Sequence, residues 1–151
     1  MNIEDIKQEL LNQCKNHIDQ RLQRIQNTIT DIQESLNSET KSTAGDKHET
    51  GRAMLQLERE KAGKQLAEVQ KLQYIVGKID ISSSEPVRLG SLVSTSQDNY
   101  FLSISAGKID INNESYYAVA TNSPIGQLLL GKSKDDTIQF RGKHIHIKTV
   151  R

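Results

Sequence analysis

The sequence of 151 residues has no tryptophan, one cysteine, two prolines and six aromatics, and each shortage excludes something. The lone Cys14 rules out an intramolecular disulfide framework and a cysteine-based zinc site, and it suits a reducing, cytoplasmic setting. With apolar residues at 34% and so few large rings, a single compact core would be thin, so part of the chain is expected to be elongated. Charge is nearly balanced, 20 basic residues against 19 acidic, which leaves no bulk field for coating nucleic acid or an anionic membrane. No run of about 18 apolar residues occurs, and Met1 to Leu10 alternates acids with isoleucines instead of placing a basic start before an apolar stretch. Neither a membrane span nor an export signal is expected.

Proline and aromatic residues are unevenly placed. Both prolines and five of the six rings lie after residue 80, and Tyr74 alone precedes it. This shift predicts two parts, a segment over 1–80 and a C-terminal domain over 87–151, joined by the polar linker "ISSSEP" at 81–86. In the first part Ile18, Leu22, Ile25, Ile29, Ile32 and Leu36 step by four and three, the spacing of a heptad seam. Ala62, Leu66 and Val69, with Leu72 or Gln73 and then Val76, resume that spacing after an interruption.

In an antiparallel hairpin the numbers of facing residues add to a constant. Leu36 with Leu55, Ile29 with Ala62, Ile25 with Leu66 and Leu22 with Val69 obey one such constant, which places the fold-back between Gly45 and Asp46. Ile32 breaks the rule, because its counterpart is Arg59. The prediction is an antiparallel two-helix coiled coil with its tip at 41–50 and arms on the order of 50 Å. Because the two seams satisfy one another within one chain, a monomer is expected rather than a dimerising adaptor.

The C-terminal part has strand character at Val87 to Thr95, Tyr100 to Ser105, Tyr116 to Ala120, Thr137 to Phe140 and His144 to Val150. Turn material such as "INNE" and "RG" separates these runs. "NSPIGQLLLGK" predicts one short helix, with Ser123 as N-cap, Pro124 in the first helical position and Gly131 past the end. The pattern is α+β, an antiparallel sheet with one helix on a face. The pentapeptide "GKIDI" occurs at 77–81 and 107–111, too short to define a repeat.

The tip reads "AGDKHETG", with Asp46 and Glu49 three residues apart. Spacing alone is close to a capping box, and both acids suit the positive end of a helix dipole. The same pair at the end of a narrow rod could enter a crevice closed to a globular body. Mg²⁺ prefers hard oxygen ligands and is often held by one or two carboxylates completed by other groups. Two acids are too few to bind it tightly alone, so a second macromolecule would complete such a site and its phosphodiester chemistry.

The hairpin with "GD-x-x-E" at its tip, "LGSLV" at 89–93, "SPIGQLLLGK" at 123–132 and a terminal "IHIKTV" resembles the Gre-type transcript cleavage factors of bacterial RNA polymerase. The resemblance covers nearly the whole chain. It implies a C-terminal domain with an FKBP-like fold that docks on the polymerase rim and a coiled coil that passes down the secondary channel. Asp46 and Glu49 would there hold a catalytic Mg²⁺ jointly with the polymerase and promote cleavage of backtracked nascent RNA, contacted only through the polymerase. Lys47, Arg52, Ser123 and Pro124 are the candidate partner-binding residues. Family cleavage factors follow the acidic pair with Asn-Ala-Glu-Tyr, whereas this chain has Thr50, Gly51, Arg52 and Ala53. A channel-binding regulator that does not cleave is the alternative this departure raises.

Three other readings bear on function. An FKBP-like domain implies prolyl isomerisation as a second enzyme class, which needs an apolar pocket built from Tyr100, Phe101, Tyr116, Tyr117 and Phe140. Alternation along strands would bring only some of those rings together. His144 and His146 share a strand face at a spacing open to metal binding, but no third ligand accompanies them. His48, Lys47 and Arg52 read as solvated tip charges when taken without the resemblance.

Overall fold

The computed structural model describes residues 2–41, 45–82 and 85–151, with the side chains of 39–41 and 45–49 outside that description. Helix α1 spans Ile3–Lys41 and α2 spans Gly45–Gly77, and the strands and a third helix follow. The chain divides into two compact units, one of Ile18–Gln73 and one of Met1–His17 with Tyr74–Arg151.

Helix α1 begins with Asn2 accepting the Asp5 backbone N–H at 2.8 Å, and Glu4 and Asp5 lie in its first turn, where the helix dipole favours acids. Its exposed face is tied by Gln-to-Asn hydrogen bonds at four-residue spacing, Gln8 to Asn12, Gln23 to Asn27 and Gln33 to Asn37. Such pairs contribute only about 0.2–0.5 kcal/mol each, so tertiary packing must carry the helix.

Within Ile18–Gln73 that packing is the expected seam. Ile32, Leu36 and Ala62 form a buried cluster, with Ile29 and Leu55 packed against it. Ile32 therefore joins the core although the facing rule assigns it Arg59. A coiled-coil knob sits in a hole made by several residues of the partner helix, and Leu55 and Ala62 flank Arg59 by one turn on either side.

In the other unit six strands form one sheet in the order β3-β4-β2-β1-β6-β5. They are β1 (Leu92–Thr95), β2 (Asn99–Ser103), β3 (Gly107–Ile111), β4 (Glu114–Ala120), β5 (Thr137–Phe140) and β6 (Lys143–Val150), with helix α3 (Pro124–Leu129) before β5. The expected sheet was antiparallel throughout. Four pairings are, but β2 and β4 run parallel, with Phe101 opposite Ala118, so the sheet is mixed. The second copy of "GKIDI" forms the edge strand β3, and β4 returns between β3 and β2. That insertion makes β4 parallel to β2.

Two hairpins close on two-residue turns with both residues at positive φ, Asn112 and Asn113 (50° and 67°) and Arg141 and Gly142 (53° and 78°). Positive φ at both centres matches the right-handed twist of the flanking strands. Asparagine and glycine adopt it readily, while an arginine there costs about 1–2 kcal/mol.

Alternation gives the sheet two buried faces. Val93, Tyr100, Leu102, Ile145 and Ile147 point to the side where Ile125 and Leu129 of α3 pack. Phe101 and Ser103 point the other way, and the Ser103 Oγ lies 3.5 Å from the Cys14 Sγ of α1. Leu10, Leu11 and Cys14 are all buried, so the first turns of α1 belong to the sheet's core.

Candidate functional site

The acidic pair falls at the start of α2. With α1 ending at Lys41 and α2 beginning at Gly45, positions 46 and 49 lie in the first two turns of α2, one helical step apart on the same face. The side chains of Asp46, Lys47, His48 and Glu49 lie outside the described residues. Arg52, one turn further on, is exposed.

Ser123 and Pro124 have a local role that accounts for their motif. The Ser123 hydroxyl donates to the Ala120 carbonyl at 2.6 Å and accepts the Gly126 N–H at 3.1 Å, which caps α3, and Pro124 occupies the first helical turn. Gly126 is dictated by the same corner, because a Cβ there would collide with the Ala120 carbonyl oxygen and crowd the Ser123 Oγ. "SPIG" is thus a tight strand-to-helix junction. Gly90 in "LGSLV" is similarly constrained: its φ is 96°, its N–H donates to the Leu102 carbonyl at 2.7 Å, and a Cβ would strike the Asp80 carbonyl.

Lys7, which sequence reasoning passed over, is a buried cation on α1. It is 1% exposed and donates to the Ser82 carbonyl at 3.4 Å, with Asp80 and Arg88 as its charged neighbours. Burial, reinforced by the Arg88 charge and opposed by Asp80, lowers its pKa to about 8. Asp80 accepts the Ser82 N–H at 2.9 Å, which holds its carboxyl below the usual range, and lies 3.7 Å from Arg88. One signal was available in the sequence: Lys7 occupies the stripe Ile3, Lys7, Leu10, Cys14, where a helix facing a core has apolar residues.

The aromatic residues divide between two cavities. Tyr100, Tyr117 and Phe140, with Val119 and Ile145, line a cavity of about 360 Å³ whose polar residues are Gln97, Asp98, Arg141 and Lys143. Tyr116 lines a different cavity of about 190 Å³, and Phe101 is fully buried on the opposite face. The Tyr100 and Tyr117 rings lie 6.3 Å apart at 41°, and the Tyr100 hydroxyl donates to Asp98 Oδ2 at 3.5 Å. Burial and Asp98 push the Tyr100 phenol up, while the Arg141 charge opposes them.

Among the described residues no group of three or more metal-ligating side chains occurs, and no helix is long and apolar enough to cross a membrane. His144 and His146 are both exposed, and the His146 Nε2 sits 3.4 Å from Asp135 Oδ1.

No family model matches the chain, and no curated protein matches it. Among solved structures it is similar to GreA factor homolog 1 (Gfh1) of Thermus thermophilus, at 16% identity over 90% of this chain and 93% of that one, with a TM-score of 0.37. A second structure, of the transcription factor Gfh1, is 14% identical over 93% of this chain and 92% of that one, with a TM-score of 0.34.

Proposed function

We propose that this chain is a transcription factor that binds RNA polymerase through the secondary channel and promotes cleavage of backtracked nascent RNA. The observation that supports the reading is that positions 46 and 49 fall in the first two turns of α2, directly after the long helix α1 with which α2 shares its buried seam. Helix α1 has 39 residues, about 58 Å at about 1.5 Å per residue. The motifs "LGSLV" and "SPIGQLLLGK" support the same reading from the sequence side.

In this mechanism Asp46 and Glu49 supply oxygen ligands that the polymerase site completes. The bound Mg²⁺ would lower the pKa of a coordinated water and neutralise phosphate charge. The chain's own work is to carry the two carboxylates to the RNA and orient them there. Arg52, in the turn after Glu49, adds a cation beside the acids.

Magnesium-dependent shortening of RNA in a stalled, backtracked elongation complex tests the proposal. Wild type is expected to shorten the transcript, and Asp46→Ala or Glu49→Ala to abolish shortening while still competing for the polymerase. If wild type leaves the RNA intact, cleavage is refuted. The residues Thr50 to Ala53, in place of Asn-Ala-Glu-Tyr, favour a second reading in which the tip enters the channel and regulates without cleaving. That reading requires an inactive wild type that blocks a competent cleavage factor.

A further inference from the structure

We propose that the open cavity lined by β2, β4, the β1–β2 turn and the β5–β6 hairpin is a binding site for a small apolar carboxylate, an aryl or branched alkyl body bonded next to one carboxylate. The group could be a free molecule or the last residue of a peptide. The site belongs to the sheet unit and does not depend on the tip or on the polymerase reading.

Size and lining define the body of the ligand. A volume of about 360 Å³ falls within the range of small-molecule pockets, about 300–1,000 Å³, and its walls are two tyrosines, a phenylalanine and branched aliphatics. Tyr100 and Ile145 belong to the sheet's hydrophobic core, so these walls are fixed by packing rather than by loop geometry.

The polar residues define the head group. Arg141 and Lys143 bring two positive charges against one acid, Asp98, which already accepts from the Tyr100 hydroxyl. Neither cation is ion-paired among the described residues. The Arg141 guanidinium lies 4.9 Å over the Phe140 ring, an arrangement that holds its plane while leaving edge N–H donors for a two-oxygen acceptor. A single negative charge suits this balance better than a doubly charged phosphate, which Asp98 would repel.

Arg141 also stands where the backbone disfavours it. The β3–β4 hairpin fills the equivalent turn position with Asn112, the residue type that this conformation accepts, whereas the β5–β6 hairpin keeps an arginine at φ 53°. A strained residue at the lip of a cavity is the pattern of a side chain retained for contact rather than for folding.

The test uses the full-length protein, with backbone amide shifts followed by NMR during titration with N-acetyl-L-phenylalanine, its amide, and the peptide Ala-Ala-Phe with a free carboxyl terminus. The acid should bind with a Kd on the order of 1 mM or tighter and move the amides of Tyr100, Tyr117 and Phe140, and the amide should bind at least about tenfold more weakly. Arg141→Asn should melt at the same or a higher temperature and lose about tenfold in affinity; a Lys143→Gln variant should weaken binding with no change of fold. Tighter binding of Ala-Ala-Phe than of the acetylated amino acid assigns a peptide terminus, and the reverse assigns a free carboxylate. Equal binding of acid and amide, unchanged affinity in Arg141→Asn, shifts confined to another face, or no binding up to about 10 mM would each overturn the proposal.

Discussion

Lys7→Met is expected to stabilise the protein at neutral pH and to remove a rise in stability that wild type shows under mildly alkaline conditions. Lowering a lysine pKa from 10.5 to about 8 disfavours the buried charged form by about 3 kcal/mol. Methionine fills a similar path without the charge, but it forfeits the hydrogen bond to the Ser82 carbonyl, worth about 1 kcal/mol. The net gain near pH 7 is about 2 kcal/mol. Direction in pH follows from proton counting. Because the folded pKa lies below the unfolded one, the unfolded chain holds more protons between about pH 8 and 10.5, and stability rises with pH through that window. From pH 7.5 to 9.5 the rise amounts to about 2 kcal/mol.

Other groups titrate there too. Burial pushes the Cys14 thiol up, which makes stability fall as pH climbs past the ordinary thiol range. Cys14 is common to wild type and variant, so the measured quantity is the difference between the two in urea unfolding free energy at each pH. That difference should shrink by about 2 kcal/mol from pH 7.5 to 9.5. A constant difference, or a lysine side-chain NMR titration of Lys7 with its midpoint near 10.4, would refute the buried-charge argument.

Two further substitutions test the packing. Gly126→Ala should destabilise by about 1–3 kcal/mol, because the added methyl enters the Ala120 carbonyl and the Ser123 cap, and thermal melting would show it. Leu36→Ala, in the buried seam between α1 and α2, should cost about 2–5 kcal/mol. Leu57→Ala, at a position 67% exposed on the same hairpin, should stay within about 0.5 kcal/mol. Equal effects at Leu36 and Leu57 would refute the register.

What could be read from the sequence depended on whether one local pattern decided the outcome. The seam was legible because helix periodicity and the constant sum constrain each other, and Leu36, Leu55, Ile29 and Ala62 came together as expected. Helix α3 was legible because Ser123, Pro124 and Gly131 punctuate it, and Gly131 indeed lies at φ 78°. Strand neighbours were not, since alternation tells which face a residue takes but not which strand lies beside it. Thus the parallel β2–β4 pair was missed. The 360 Å³ cavity draws on four strands and two turns, so no contiguous motif announces it.

"GKIDI" shows where the deciding information resides. At 77–81 the glycine ends α2, the Lys78 and Ile79 N–H groups close back onto Ile75 and Val76, and the Ser82 N–H donates to the Asp80 carboxylate at 2.9 Å. At 107–111 the same five residues form β3, paired residue for residue with β4, with Ile111 opposite Glu114 across Asn112 and Asn113. Identical side chains have identical propensities, so propensity cannot be the cause. The second copy is followed by two residues that accept positive φ, which lets the chain double back and satisfy the strand's N–H and C=O groups within a few residues. The first copy has a helix behind it, and among the described residues no strand pairs with its backbone groups. The turn, rather than the pentapeptide, carries the instruction, and the same reasoning explains why an arginine at position 141 is the more informative residue of its hairpin: the turn needs φ that Gly142 supplies easily and Arg141 does not.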